Sequence, residues 1–424
     1  MAEQTIYLDP RTIPEGVDNP STSDESICFN RALTAQPKSR DASANFVSIE
    51  GCELPTQRLD YPNFNLIRLI AASSVIFSHA FLIANGDEGG EPLVKLLGKG
   101  NILGIYGVFT FFFISGFLVT LSLLNSPSVL NYFWRRFLRI YPALAVCLAI
   151  SAFVIGPLFS TKGTVNFFTS SEGIRYFLGN LWWPGKPPGM PSVTLYDEPS
   201  GWLGGMINGS LWTIFHELAC YVLLGLIGLL GALNAWVLVL ICMSMVLISV
   251  TGLTPNSATI GDFLLVAPAF FAGAAFSSLK LQHKNSVFRL ASMVAALLTF
   301  CVAYRCNAML QIFPLAGAPV ILLIGTSQRL SLPTLRQVGD ISYGTYLYGW
   351  PAEQLMRAGV GPDASWSLIF LGALSAAYLA GYLSWWAIER PALRYKMGLW
   401  NIPLPNWPCP VLKTDPTRPY LRAG

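Results

Sequence analysis

Beyond about residue 60 the chain is organised as long apolar runs separated by short polar connections. The runs fall at roughly 63–85, 102–124, 138–159, 208–230, 234–253, 262–279, 288–304, 308–326, 341–358 and 367–388. Each is close to the ~20 residues with which an α-helix crosses a hydrocarbon core of about 30 Å. The pattern predicts an all-α fold, a polytopic membrane helix bundle of about ten transmembrane helices. Residues 1–60 are polar and lack the basic start and apolar stretch of a signal peptide. They read as a flexible cytoplasmic tail, followed by a transmembrane domain over 61–392 and a short cytoplasmic tail over 393–424.

Composition sharpens this picture. The chain is 53% hydrophobic and 12% charged, against about 25% charged in a soluble domain, which excludes one large water-soluble core. A net charge of +4 is too small, and too dispersed, for a nucleic-acid partner. The eight cysteines form no C-x-x-C pair and mostly sit in apolar runs, as small buried hydrophobes rather than a disulfide or metal framework.

Lys and Arg give an orientation, because they accumulate on cytoplasmic connections. With the N-terminus inside, twenty of them fall on the inner side and seven outside (Lys95, Lys99, Lys162, Arg175, Lys186, Arg305 and Arg357). Both termini are therefore expected in the cytoplasm, and the long connection at 160–207 outside. That connection carries Trp182, Trp183, Tyr196 and Trp202, which suit either sugar stacking or an anchorage at headgroup level.

Two of the three histidines, His79 and His216, lie inside apolar runs. An ionisable group at membrane depth points to function because its charge is costly there; a neutral histidine bridging two helices is the bland alternative. Arg68 and His79 are eleven positions apart, about 20° past three turns, so they share a helix face. Counted from Arg68 at the inner surface, His79 is expected near the midplane. Counted from Asn208 at the outer surface, Glu217 is expected at the same depth, with Ser210 on its face. A histidine and a carboxylate on one cavity are equipped for proton transfer, although Glu217 is equally suited to pairing with an arginine to hold the bundle.

At these residues the sequence resembles the acyltransferase 3 family, over about residues 64–391. Arg68 and His79 match its first-span motif, and Gly107-Val-Phe-Thr-Phe-Phe-Phe-Ile-Ser115-Gly116-Phe117 its second-span signature. Arg135-Arg136-Phe-Leu-Arg139-Ile-Tyr141-Pro142 resembles its basic motif, and Asn208-Gly209-Ser210-Leu211-Trp212-Thr213 followed by Glu217 its fourth-span motif. Gly339-Asp-Ile-Ser342-Tyr343-Gly-Thr-Tyr346-Leu-Tyr348 and Glu389-Arg390-Pro391 are similar to its two late motifs. One departure is visible: where many members have a His before the Pro of the ninth span, Trp350-Pro351 stands here.

The resemblance implies a stand-alone membrane O-acyltransferase of the bacterial cytoplasmic membrane. It would move an acyl group, acetyl first among candidates, from cytoplasmic acyl-CoA to a hydroxyl of a cell-surface or lipid-linked saccharide. No tightly bound cofactor and no metal is implied. His79 would be the base or an acyl relay, and Arg68 would orient it or contact the donor; Glu217, from its depth and face, is the candidate catalytic carboxylate, as partner of His79 or orienting the acceptor. Arg135, Arg136 and Arg139 would grip CoA phosphate by paired hydrogen bonds, unless they only set topology. Ser115, Ser210, Trp212 and Tyr346 would line the acceptor site or acyl path, and Ser115 with Gly116 equally suits a small-residue packing seam. A proton-coupled transporter or flippase of a glycan precursor needs the same buried His and Glu, but the two halves of the chain show no inverted repeat.

Overall fold

Apolar runs bounded by Asn, Ser and Gly become helices wherever the chain is described. The computed structural model describes residues 46–49, 52–55, 61, 63–126, 128–185, 189–197, 201–253, 257–281, 285–327 and 339–395. Most of both expected tails lies outside these residues, as do Lys186, Lys284, Arg329 and Arg336 of the orientation count. The chain divides into two units, Met1–Asp60 and Tyr61–Gly424. In the first, Phe46–Ile49 pairs antiparallel with Cys52–Pro55, a small hairpin that the polar composition of residues 1–60 did not announce.

In the second unit ten long helices appear among the described residues. They are α1 (Phe64–Asn85), α2 (Leu103–Leu124), α3 (Val129–Leu158), α4 (Gly209–Leu229) and α5 (Ala235–Thr251). The rest are α6 (Ala258–Ser278), α7 (Ser286–Arg305), α8 (Met309–Thr326), α9 (Ser342–Val360) and α10 (Trp366–Arg394). Eight of them are long and apolar enough to cross a membrane; α5 is a shorter apolar helix of 17 residues, and α9 carries Glu353, Gln354 and Arg357. The outward faces are apolar: Trp236, Leu240, Met243 and Leu247 along α5 and Leu290, Val294, Leu297 and Leu298 along α7 are exposed. Such continuous apolar stripes face lipid rather than water. The protein is an integral membrane helix bundle.

Because lipid is as apolar as leucine, helices in a bilayer associate through close packing and hydrogen bonds. The α2–α6 contact shows the first: a Cβ on Gly116 would lie 1.9 Å from the Phe270 carbonyl oxygen, and one on Gly273 2.1 Å from that of Phe113. Gly116 is thus a packing residue, while its neighbour Ser115 turns towards α4. The prolines show the second. Pro351 has no N–H for the Leu347 carbonyl one turn earlier, and that oxygen accepts instead from Asn208 Nδ2 at 3.0 Å. Pro268 likewise frees the Leu264 carbonyl, which accepts from Ser249 Oγ on α5 at 3.2 Å.

Two helices are interrupted by π-turns, Ser151–Ile155 in α3 and Trp385–Glu389 in α10. The second re-aims the chain so that Glu389 points inward, 1% exposed. Just before α9, Gly339 adopts a positive φ of 86°, and a Cβ there would lie 2.0 Å from Trp385 Nε1. Only glycine lets this turn approach α10 so closely, and the turn delivers Asp340.

Candidate active site

The antiparallel pair α1–α2 gives a ruler for depth. The Phe64 ring lies 5.6 Å from that of Phe117, and the Gly104 amide donates to Ser78 Oγ at 2.7 Å. Phe64 is therefore level with Phe117, and Ser78, with His79 beside it, is level with Gly104.

At the Phe64 end of the bundle lies a cavity of about 290 Å³ lined by Arg68, Arg135, Arg136 and Arg139, with Glu217, Asp340, Ser115, Tyr221 and Tyr343. Four guanidinium groups face two carboxylates there. Asp340 Oδ2 accepts from Arg68 at 3.0 Å and also from Arg139, which gives its other nitrogen to Glu389 at 3.1 Å. Burial would raise the Asp340 carboxyl, but Arg139 and then Arg68 hold it down at about 2. Arg139 is thus clamped by two carboxylates. Arg136 has one donor on Ser122 Oγ at 3.1 Å; among the described residues its buried Nη1, and Arg135 Nε, have no hydrogen-bond partner. These two keep hydrogen-bonding capacity for an anion.

Glu217 belongs to this cavity. Its Oε1 accepts from Ser115 Oγ at 2.7 Å and from Tyr221. A second, smaller cavity of about 40 Å³ adjoins the first, sharing Phe111, Glu217 and Tyr343 with it. Tyr346 lines that second cavity, its hydroxyl 2.6 Å from Thr213 Oγ1 and donating to the Ser210 carbonyl at 3.0 Å. Ser210 is buried, and Trp212 packs edge-on against His216 with centroids 5.7 Å apart. Neither Ser210 nor Trp212 lines the two cavities.

His79 is elsewhere. Its Nδ1 stands 3.4 Å from Glu353 Oε2, and its ring meets Trp350 edge-on at 4.7 Å. Glu353 is fully buried. The approach has the length of an ion pair without hydrogen-bond geometry, so among the described residues His79 Nδ1 and both Glu353 oxygens have no hydrogen-bond partner. Trp350 is fixed from behind, its Nε1 donating to the Met206 carbonyl at 2.8 Å, while Gln354 Nε2 donates to Leu203 and Met206. The connection between α3 and α4 is thus tied to α9 directly over the histidine.

The expectation that His79 and Glu217 share a depth and a cavity does not match this geometry. Ser115, the partner of Glu217, is eleven residues along α2 from Gly104, the level of His79, which is about 16 Å. Two local facts account for about half of that separation. Helix α1 begins at Phe64 rather than Arg68, which carries His79 about 6 Å deeper towards the far end. Helix α4 begins with a 3₁₀ turn at Gly209–Leu211, whose rise of about 2 Å per residue moves Glu217 the opposite way. Arg68 and His79 share a helix but stand at different stations, Arg68 with Glu217 and the arginines, His79 with Glu353. Sequence reasoning missed Glu353 and Asp340, although Glu353 in an apolar run carried the same signal that singled out His79.

Comparison with known proteins places the chain in a family. The chain is 25% identical over 337 residues to the protein named O-acetyl transferase of Shigella phage Sf6, covering 77% of this chain and 94% of that one. It is 30% identical over 378 residues to Nodulation protein 10 of Rhizobium leguminosarum bv. viciae, covering 80% and 94%. No solved structure matches the chain. Residues 61–387, the whole membrane unit up to the last π-turn, match the family described as acyltransferase domain, and the chain belongs to that acyltransferase 3 family of integral membrane proteins.

Proposed function

We propose that this chain is a membrane O-acetyltransferase that binds acetyl-CoA at the arginine-lined cavity and transfers its acetyl group, with His79 as the base, to a hydroxyl of a saccharide. The observation that carries this reading is the division of labour along α1: a cationic cavity at Arg68 and a buried His79–Glu353 pair about 16 Å further on. A donor with phosphates at one end and a thioester on a long arm fits that spacing. The positive-inside count places the arginine end in the cytoplasm, where acyl-CoA is found, with both termini there and His79 towards the outside. The relative named O-acetyl transferase supports acetyl as the group moved.

Arg135 and Arg136 hold phosphate, since Arg139 is already clamped by Asp340 and Glu389. Arg68 and Asp340 keep the cavity open and charged. A sugar hydroxyl is a poor nucleophile, so a positioned base must take its proton as it attacks. His79 does so through the ring nitrogen not facing Glu353. The hydroxyl oxygen bonds to the thioester carbonyl carbon, the C–S bond breaks, and the CoA thiolate recovers the proton from His79. Glu353 orients the ring and balances the imidazolium while the proton is held. Glu217, at the cavity with Ser115 and Tyr221, positions the donor arm.

Isolated membranes supplied with acetyl-labelled acetyl-CoA test this directly. Alkali-labile label should accumulate in saccharide with the intact chain and vanish with His79→Ala. Translocated saccharide without consumption of the thioester would instead establish a transporter, and normal labelling with His79→Ala would remove the histidine from the mechanism.

A further inference from the structure

The smaller of the two adjoining cavities has no role in the reading above, and its size and walls are specific. It runs along α2 from Phe111 and Phe112 to Val108, with Ile214 of α4 and Tyr346 of α9 opposite. On the depth scale of α2 it lies between the level of Glu217 at Ser115 and that of His79 at Gly104. Its open end is the arginine cavity, through the shared Phe111, Glu217 and Tyr343. At its other end stands the Thr213–Tyr346 hydroxyl pair, both members already bonded to the Ser210 carbonyl. That end therefore offers no uncommitted hydroxyl, and the walls beside it are valine, isoleucine and phenylalanine. An apolar group is wanted there, not a polar one.

Volume decides which. A space of about 40 Å³, at about 10–15 Å³ for each water-sized occupant, holds roughly three such groups. An acetyl group has three non-hydrogen atoms; a butyryl group has five. Val108, Phe112 and Ile214 are all buried, so the wall is packed from behind, and well-packed walls yield poorly to added methylenes.

We propose that this cavity between Val108, Phe112, Ile214 and Tyr346 is the subsite that receives the acyl group of the donor, and that its walls limit that group to two carbons. This rests on the reading of acyl-CoA as donor. The acyl group rests there about one helical turn short of His79, since Val108 is four residues from Gly104 on α2 and Tyr346 four from Trp350 on α9.

The test is binding of CoA, acetyl-CoA and butyryl-CoA to the purified full-length chain in detergent, which needs no acceptor. The intact chain should bind acetyl-CoA at least as tightly as CoA, and butyryl-CoA about ten-fold or more weakly than acetyl-CoA. Ile214→Ala should recover most of the loss for butyryl-CoA, and Val108→Ala should do the same by a separate route if the first variant folds poorly. Equal binding of acetyl-CoA and butyryl-CoA by the intact chain, or a ratio unmoved by both variants, overturns the subsite while leaving the donor in place. Failure of CoA itself to bind removes the donor reading, and the subsite with it.

Discussion

Replacing Glu353 by Gln isolates the charge of the carboxylate beside His79, because shape and one oxygen are kept. In the native chain Glu353 Oε2 is 3.4 Å from His79 Nδ1. With an effective dielectric of about 20, a carboxylate and an imidazolium at that distance attract by about 5 kcal/mol. At about 1.36 kcal/mol per decade this bounds the effect at about three and a half orders of magnitude in rate, and general-base contributions of about 10²–10⁴ bracket the same figure. Turnover of Glu353→Gln should therefore fall by roughly 10²–10³, with the Michaelis constant for acetyl-CoA nearly unchanged. The assay is the initial rate of acetyl transfer in membranes over a range of donor concentrations, beside the thermal stability of the purified variant. His79→Ala combined with Glu353→Gln should cost little more than His79→Ala alone, because the two residues act as one unit. A turnover within about three-fold of native would refute the argument. So would a fall in stability of about 3–5 kcal/mol with full specific activity in the folded fraction, the mark of a purely structural pair.

Three further outcomes are expected. Arg135→Gln together with Arg136→Gln should raise the apparent Michaelis constant for acetyl-CoA about ten-fold or more with insertion intact; lost insertion with a normal donor constant in the surviving protein would assign the pair to topology. Asp340→Asn leaves Arg68 and Arg139 with one partner fewer in a buried place, and should destabilise the purified chain by about 3–5 kcal/mol in a denaturant or thermal titration. The sign of its pH dependence follows: the stabilisation is complete above the unfolded value of about 4 and is lost as pH falls through about 2 in the folded chain, so the variant should show no such acid limb. With Cys28, Cys52, Cys301, Cys306 and Cys409 replaced by serine, an impermeant thiol reagent should label Thr164→Cys from outside and leave Ser286→Cys unlabelled; the reverse pattern would invert the orientation.

The sequence exposed its helices well because each must satisfy its own backbone within the bilayer, so the apolar runs and the elements coincide to within a few residues, except where polar turns extend them: α3 starts at Val129, nine residues before its apolar run, and α10 ends at Arg394, six beyond. Its errors came where local geometry departs from an ideal count. The first turn of α1 before Arg68 and the 3₁₀ turn before α4 shift His79 and Glu217 in opposite directions, and the π-turn that aims Glu389 at Arg139 has no residue signature. Pairings such as His79 with Glu353, or Arg68 with Asp340, join positions more than 270 apart, and spacing along one chain carries no information about them. Gly116 illustrates the converse: the residue was legible, but whether it lined a path or touched a backbone depended on Phe270.

The bridge from Arg139 to Asp340 also sets a clock. The two residues are 201 positions apart, and a ribosome adding about 5–20 residues per second takes roughly 10–40 s to travel that distance. Throughout that interval Arg68 and Arg139 are already in the nascent chain while their shared carboxylate is not yet made. They must wait with their guanidinium groups drawn to the headgroup layer, as long cationic side chains do. Only when the turn at Gly339 emerges can they be drawn into the bundle, and only with α9 does His79 gain Glu353 and Asn208 gain the Leu347 carbonyl. The ninth helix, followed by the tenth that brings Glu389 to Arg139, therefore completes the site only at the end of biogenesis, and a chain truncated after Thr326 should be recognised by membrane quality control as unfinished rather than persist as a partly working enzyme.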